Sequence, residues 1–310
     1  MKNEATVLPY RLNGSVTWNM IDDSGRLQLR LPDGDHITFE DDGVEIAELL
    51  EHLAEGDKRA LRSELSQELH ALLMQRNVLV SREEAPSDWL EELAEYVLAR
   101  SDRIKGPGNL VGKARAKPIS IVGEGWLADI AREACAEADL NYADARQASE
   151  HDGPGFVLAL SDRLAMDFFS QQNIQACERG VPIVFVWREL SQIVSGPLVI
   201  PGESACFECY RSRLRSNARH LAEFDALASY QLRRRDHLPS DLARGSVKAF
   251  LARQLLVIAA GAYDLFETNT IYSFDALQLQ LNKHPILRIP RCGSCGAYRS
   301  EPMRAVRAIS

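Results

Sequence analysis

Short strand signals and amphipathic helices open this chain, strand–helix–strand repeats follow, and two CxxC turns lie within the later part. These observations predict an α/β protein in two unlike domains. Residues 1–83 read as an α+β unit of winged-helix type and 84–117 as a helix and linker. Residues 118–310 read as a Rossmann-like domain carrying a four-cysteine zinc site. A length of 310 residues suits two domains better than one. Hydrophobic content of 45% with 26% charged residues is that of a soluble globular chain.

In the first part, strand candidates lie at 9–12, 16–21, 26–31 and 36–39. Asn13-Gly14 and the polar segments 22–25 and 32–35 separate them as turns. Helical spacing follows. Ile46, Leu49, Leu50 and Leu53 repeat on one face, and Leu61, Leu65, Leu69, Leu72 and Leu73 line a second helix over 62–76. Val78-Leu79-Val80 is an apolar close. Residues 87–100 read as an amphipathic helix capped by Ser87 or Asp88, and the Gly-, Lys- and Pro-rich run 104–118 reads as a linker.

The second part begins with a buried strand at 119–122 that enters Gly123-Glu124-Gly125 and a helix reaching about residue 138. A strand at 156–160 ends in Ser161-Asp162, a further helix leads to a strand at 182–187, and this alternation implies a parallel sheet. A long helix at 246–266 precedes two late strands at 270–274 and 278–281. Arg253 and Gln254 interrupt the apolar run inside that helix, so it reads as a core helix and not a membrane span. The first ten residues lack a signal-peptide core, and a cytoplasmic setting is expected. The formal charge of −8 weighs against a general nucleic-acid binder.

Six cysteines in a reducing compartment point away from disulfides. Cys135 and Cys177 stand alone on apolar helix faces and read as core residues. Cys206-Phe-Glu-Cys209 and Cys292-Gly-Ser-Cys295 are two CxxC turns, and together they supply four sulfurs for one tetrahedral zinc. A thioredoxin-like redox role is the rival. It wants a CxxC at the start of a helix after a core strand, a setting the sequence does not place at either pair. Structural zinc is therefore the expectation, with no open position for catalytic water.

Gly123 and Gly125 sit where backbone N–H groups can cradle phosphate, yet bulky Trp126 follows them. A plain strand-to-helix turn is the blander alternative. Asp162, at the carboxyl end of a strand, is suited either to a metal contact or to capping a helix.

Residues 196–209, GPLVIPGESACFEC, together with 274–296, FDALQLQLNKHPILRIPRCGSCG, resemble the ThiF-type, ubiquitin-activating-like superfamily. Within it the likeness is greatest to the ThiF-like proteins of thiazole/oxazole-modified microcin biosynthesis. The resemblance covers about 118 to 296. It implies a zinc shared by the two CxxC turns, an amino-terminal domain that binds a precursor's leader peptide, a YcaO-type cyclodehydratase partner and a homodimer. It also makes Asp162 the match to the superfamily's metal aspartate. The adenylating members' GxGGxG turn, Arg-Gln motif and lysine are degraded here. Gly123, Gly125 and Asp162 then stand as a vestigial nucleotide site, with Asp144, Arg146 and Gln147 as remnants, and ATP use is not expected.

A leader would bind by strand addition beside a helix. That places Ile37 and Phe39, with Leu65, Leu69 and Leu72, along the peptide groove; for any single leucine, membership of the domain's own core is the competing reading. Arg211, Arg213, Arg215, Arg219 and the triplet 233–235 read as solvated faces or as a docking patch for an acidic partner. The function implied is a non-catalytic leader-binding scaffold. An adenylating ThiF-type enzyme and a zinc-stabilised winged-helix regulator of nucleic acid are the competing classes.

Overall fold

The computed structural model describes residues 10–14, 16–21, 25–31, 34–54, 67–76, 78–81, 89–98, 100–101, 110–144, 155–189, 191–222, 224 and 240–296. The chain divides into two compact units. One comprises residues 1–114 with 260–265, and the other 115–259 with 266–310.

In the first unit, β2 (Thr17–Met20), β3 (Leu27–Arg30) and β4 (His36–Phe39) form an antiparallel sheet in the order β2-β3-β4. β1 (Tyr10–Leu12) pairs separately with β5 (Leu79–Ser81). Between β4 and β5 lie α1 (Gly43–Ala54) and α2 (Gln67–Gln75). The 3.6-residue spacing read from the sequence places Ile46, Leu49, Leu50 and Leu53 inside, against Leu27, Leu29 and Leu73. The helix predicted over 62–76 is described only from Gln67, so Leu61 and Leu65 lie outside the described residues. α3 (Trp89–Leu98) fills part of the predicted 87–100 helix, whose cap residues are likewise outside. Inside the predicted linker, Leu110–Arg115 is helical, α4.

Leu73 and Leu72 are chain neighbours with opposite expectations. Leu73 is fully buried in the core and Leu72 only half-buried. Leu73→Ala is expected to cost about 2–5 kcal/mol in urea unfolding, and Leu72→Ala under about 1.5 kcal/mol. Equal costs would contradict this difference in burial.

The second unit is built on a seven-stranded mixed sheet in the order β12-β11-β10-β9-β8-β6-β7. β6 (Ile119–Val122), β7 (Tyr142–Asp144), β8 (Phe156–Ser161) and β9 (Ile183–Glu189) are parallel. β10 (Gln192–Val199), β11 (Thr270–Asp275) and β12 (Gln280–Pro285) continue the sheet antiparallel. α5 (Trp126–Glu137) and α6 (Met166–Arg179) make the crossovers that parallel neighbours require. α7 (Phe207–Asn217) follows β10, and α8 (Ser240–Ala259) packs along α5.

Four features depart from the sequence reading. The last strand lies at 280–285 rather than 278–281, because 276–279 form the turn that precedes it. The sheet is mixed, not wholly parallel. β10 is a strand that the sequence does not announce, because Gly196-Pro197 in its middle reads as a strand breaker; the ladder instead shifts register between Ser195 and Leu198 and continues. The long helix runs over 240–259 rather than 246–266. It stops before Gly261, whose φ of 77° leaves the helical region, and Tyr263–Phe266 form a separate 3-10 turn. Among the described residues no helix is long and apolar enough to cross a membrane.

Candidate metal centre and the closed glycine turn

Two loops of the second unit bring the four CxxC cysteines together. After β10, residues 200–205 lead to Cys206, the N-cap of α7, which puts Cys209 in that helix's first turn. After β12, residues 286–291 lead to Cys292 and Cys295. All four Sγ atoms lie within 4.8 Å of one another. Cys206 Sγ is 3.8 Å from Cys209 Sγ and 3.6 Å from Cys292 Sγ, and Cys209 Sγ is 3.6 Å from Cys295 Sγ.

These separations decide between chemistries. A disulfide needs about 2.05 Å between sulfurs. Four sulfurs on a tetrahedron of Zn–S length about 2.3 Å stand about 3.8 Å apart. The four thiols are free, buried and spaced as a tetrahedral ion requires, so the residues present fit a metal of zinc's type.

The surroundings suit thiolates. The Ile289 N–H donates to Cys209 Sγ at 3.3 Å. The Cys209 thiol is held down at about 4, first by its hydrogen bond with Cys206 and then, against burial, by the Ile289 N–H. Cys206 is pushed up, chiefly by that same shared proton and by burial. The cluster shares its core with Phe169, Phe185, Trp187 and Phe207, whose rings meet at centroid distances from 4.9 to 6.4 Å. Asn173 Oδ1 accepts the Phe207 N–H at 3.0 Å, and Asn269 Oδ1 accepts the Ala205 N–H at 2.6 Å.

Contrary to the sequence expectation, Cys206 and Cys209 do open a helix that follows a core strand, so position alone gives no ground against redox chemistry. The ground is convergence: the second CxxC turn meets the first, which a lone redox pair would leave without a purpose. Cys135 and Cys177 are buried and stand outside the metal-type cluster. Burial raises the Cys135 thiol to about 12 and, with nearby cysteines, the Cys177 thiol to about 11.

The glycine turn is closed from within. Gly123 and Gly125 take φ values of 136° and 102°, which only glycine adopts without strain. The Trp126 N–H donates to Asp162 Oδ2 and the Leu127 N–H to Asp162 Oδ1, both at 2.9 Å. One carboxylate therefore occupies the first two free N–H groups of α5, the groups a phosphate would need. A Cβ at Gly125 would collide with this carboxylate, and one at Gly123 with the Leu160 carbonyl. The sequence suits Asp162 to capping the helix that follows it; it caps the earlier helix, across two parallel strands. Only the three-dimensional register of β6 and β8 reveals that. Arg146 and Gln147, and the side chain of Asp144, lie outside the described residues.

In the first unit, β4 pairs with β3 on one side and has no strand on the other among the described residues. Ile37, Phe39 and Leu69 are half-buried against the core, and Leu72, which follows Leu69 on α2, is half-buried too. Arg76, just after α2, donates to Asp35 Oδ2 at 2.8 Å, just before β4. That bond ties the end of the helix to the start of the strand, and it lowers the Asp35 carboxyl below its ordinary range.

No protein-family model and no curated protein matches the sequence. Solved structures do share the fold. The heterocyclase TruD has a TM-score of 0.65 at 17% identity over 93% of this chain and 43% of its own. A heterocyclase in complex with substrate and cofactor gives 0.67 at 17%, over 93% and 39%. E. coli MccB with MccA-N7isoASN gives 0.61 at 11%, over 93% of this chain and 100% of its own. The chain thus spans less than half of those heterocyclases and matches MccB along its whole length.

Proposed function

We propose that this chain is a non-catalytic scaffold of ribosomal-peptide modification. It holds the leader of a precursor peptide on its first unit, and a YcaO-type partner forms the azoline rings. The observation that carries the non-catalytic part is the Asp162 carboxylate spread across the Trp126 and Leu127 N–H groups. The carboxylate is turned onto the N–H groups of α5, and the donors it takes are not free to hold phosphate. The leader-binding part rests on the β4 edge that has no strand among the described residues, with Ile37 and Phe39 on that strand and Leu69 on α2 packed against the same core.

Fold likeness to a heterocyclase and to MccB supports a place in precursor-peptide chemistry. Ring formation is assigned to the partner in this reading, because the glycine turn of this chain is filled by its own Asp162. Zinc in the four-cysteine site is structural in this reading. What the scaffold contributes is effective concentration: a tethered core peptide meets the partner's active site intramolecularly, at an effective concentration that reaches millimolar for short flexible tethers.

The test is an anisotropy titration with the labelled leader of a precursor peptide sought among the neighbouring genes. Binding in the micromolar range is expected. Ile37→Asp combined with Leu69→Asp should weaken it by about tenfold or more, since each charge faces a desolvated apolar contact. Binding that ignores both changes, or ATP–pyrophosphate exchange by the pure chain, overturns the proposal.

A further inference from the structure

The metal site is assembled from two segments far apart in the chain, and one side chain touches both. Arg288 donates from Nη1 to the Gly202 carbonyl at 2.6 Å and from Nη2 to the Cys295 carbonyl at 2.8 Å. Gly202 belongs to the loop that delivers Cys206, and Cys295 is itself in the second CxxC turn. The guanidinium is thus a bracket across the two halves of the site. Its neighbour Ile289 supplies the N–H that meets Cys209 Sγ.

The charge of Arg288 is placed as tellingly as its hydrogen bonds. Its Nε is buried without a hydrogen-bond partner among the described residues, an arrangement that costs desolvation of a cation. Something nearby must offset that cost. Four thiolates around a divalent cation leave a net charge of about −2, and the two carbonyls that Arg288 bonds, on the loop leading to Cys206 and in the second CxxC turn, set its charge beside the cluster. A cation held beside the site by two carbonyls is what such a centre needs.

We infer that Arg288 is the positioning residue of the metal centre, bracketing its two halves and neutralising part of its charge. The inference rests on the reading of the four cysteines as a metal site. Lysine cannot replace it fully, because an ammonium keeps the charge but lacks the planar fork that reaches two carbonyls at once.

Metal content of the full chain is measured first; a protein that holds no zinc and takes up none refutes the metal reading, and this inference falls with it. With zinc bound, release to a chromogenic chelator is timed, and the thiolate-to-metal absorption of the cobalt-substituted protein reports the geometry. Arg288→Gln is expected to release zinc roughly 10- to 100-fold faster than wild type, in line with other outer-shell changes. Arg288→Lys should fall between the two. Arg291→Gln, which removes an exposed cation beside Cys292, should stay near wild type. Should Arg288→Gln fail to fold, Arg288→Lys decides: wild-type release and an unchanged cobalt spectrum would overturn the bracket. Zinc-loaded, folded Arg288→Gln with wild-type release overturns the inference while leaving the metal reading intact.

Discussion

Cys206→Ser or Cys292→Ser should lower the melting temperature of the second unit by on the order of 10 °C, and a chelator should lower that of the wild type by a similar amount. Metal binding to a site absent from the unfolded chain is folding free energy, about 10–16 kcal/mol in isolated zinc-finger peptides. The cost here is smaller, because a seven-stranded sheet and an aromatic cluster hold much of the unit without metal. A loss of about 4 kcal/mol corresponds to roughly 8–16 °C for a unit of this size. A serine at Cys206 also buries a hydroxyl where a sulfur had partners. Cys135→Ser is the control. That thiol is equally buried but stands outside the metal-type cluster, so its cost should be about 1–3 kcal/mol, and chelation should still add the full loss on top. Leader binding by Cys206→Ser below its melting point should persist, since the proposed groove belongs to the other unit. A wild type whose melting ignores the chelator would exclude a structural metal altogether.

How much of the fold was legible in the sequence depends on whether the signal was local. Helix α1 was readable because its three buried leucines and one isoleucine follow one period and face one core. The meeting of the two CxxC pairs was readable because two turns of that spacing can share one ion. β10 was not, since the local cue at Gly196-Pro197 says turn while the ladders on both sides hold it as strand. Tertiary pairing overrode propensity there. Asp162 shows the same limit at the site. Its position at a strand end was visible, but its partners are 35 and 36 residues away, and only the pairing of β6 with β8 brings them within reach. Arg288 was unreadable for the same reason. Nothing in its neighbourhood marks a residue whose hydrogen bonds reach back to Gly202.

Asp162→Ala then separates a scaffold from an adenylating enzyme by which property it damages. In an enzyme whose aspartate holds magnesium, the change would abolish nucleotide chemistry and leave folding nearly untouched. In this chain it deletes two hydrogen bonds to a carboxylate that caps α5, a helix whose own N-cap, Gly125, has no side chain to offer. Hydrogen bonds to charged groups contribute about 1.5–3 kcal/mol each, and helix caps lost to alanine cost about 0.5–2 kcal/mol. The two descriptions overlap, and the carboxylate is part-exposed, so about 2–4 kcal/mol is expected. Asp162→Asn keeps an acceptor for one of the two N–H groups and should lose about half as much. A second consequence follows from the vacated donors. With Trp126 and Leu127 N–H groups uncovered, inorganic phosphate at tens of millimolar should raise the melting temperature of Asp162→Ala by more than it raises that of the wild type, because only the variant gains a site that the folded state binds. MgATP should likewise leave the wild type unmoved. Wild-type stabilisation by MgATP, together with a variant that folds as well as its parent, would make Asp162 a ligand-binding aspartate and the chain a nucleotide-using enzyme.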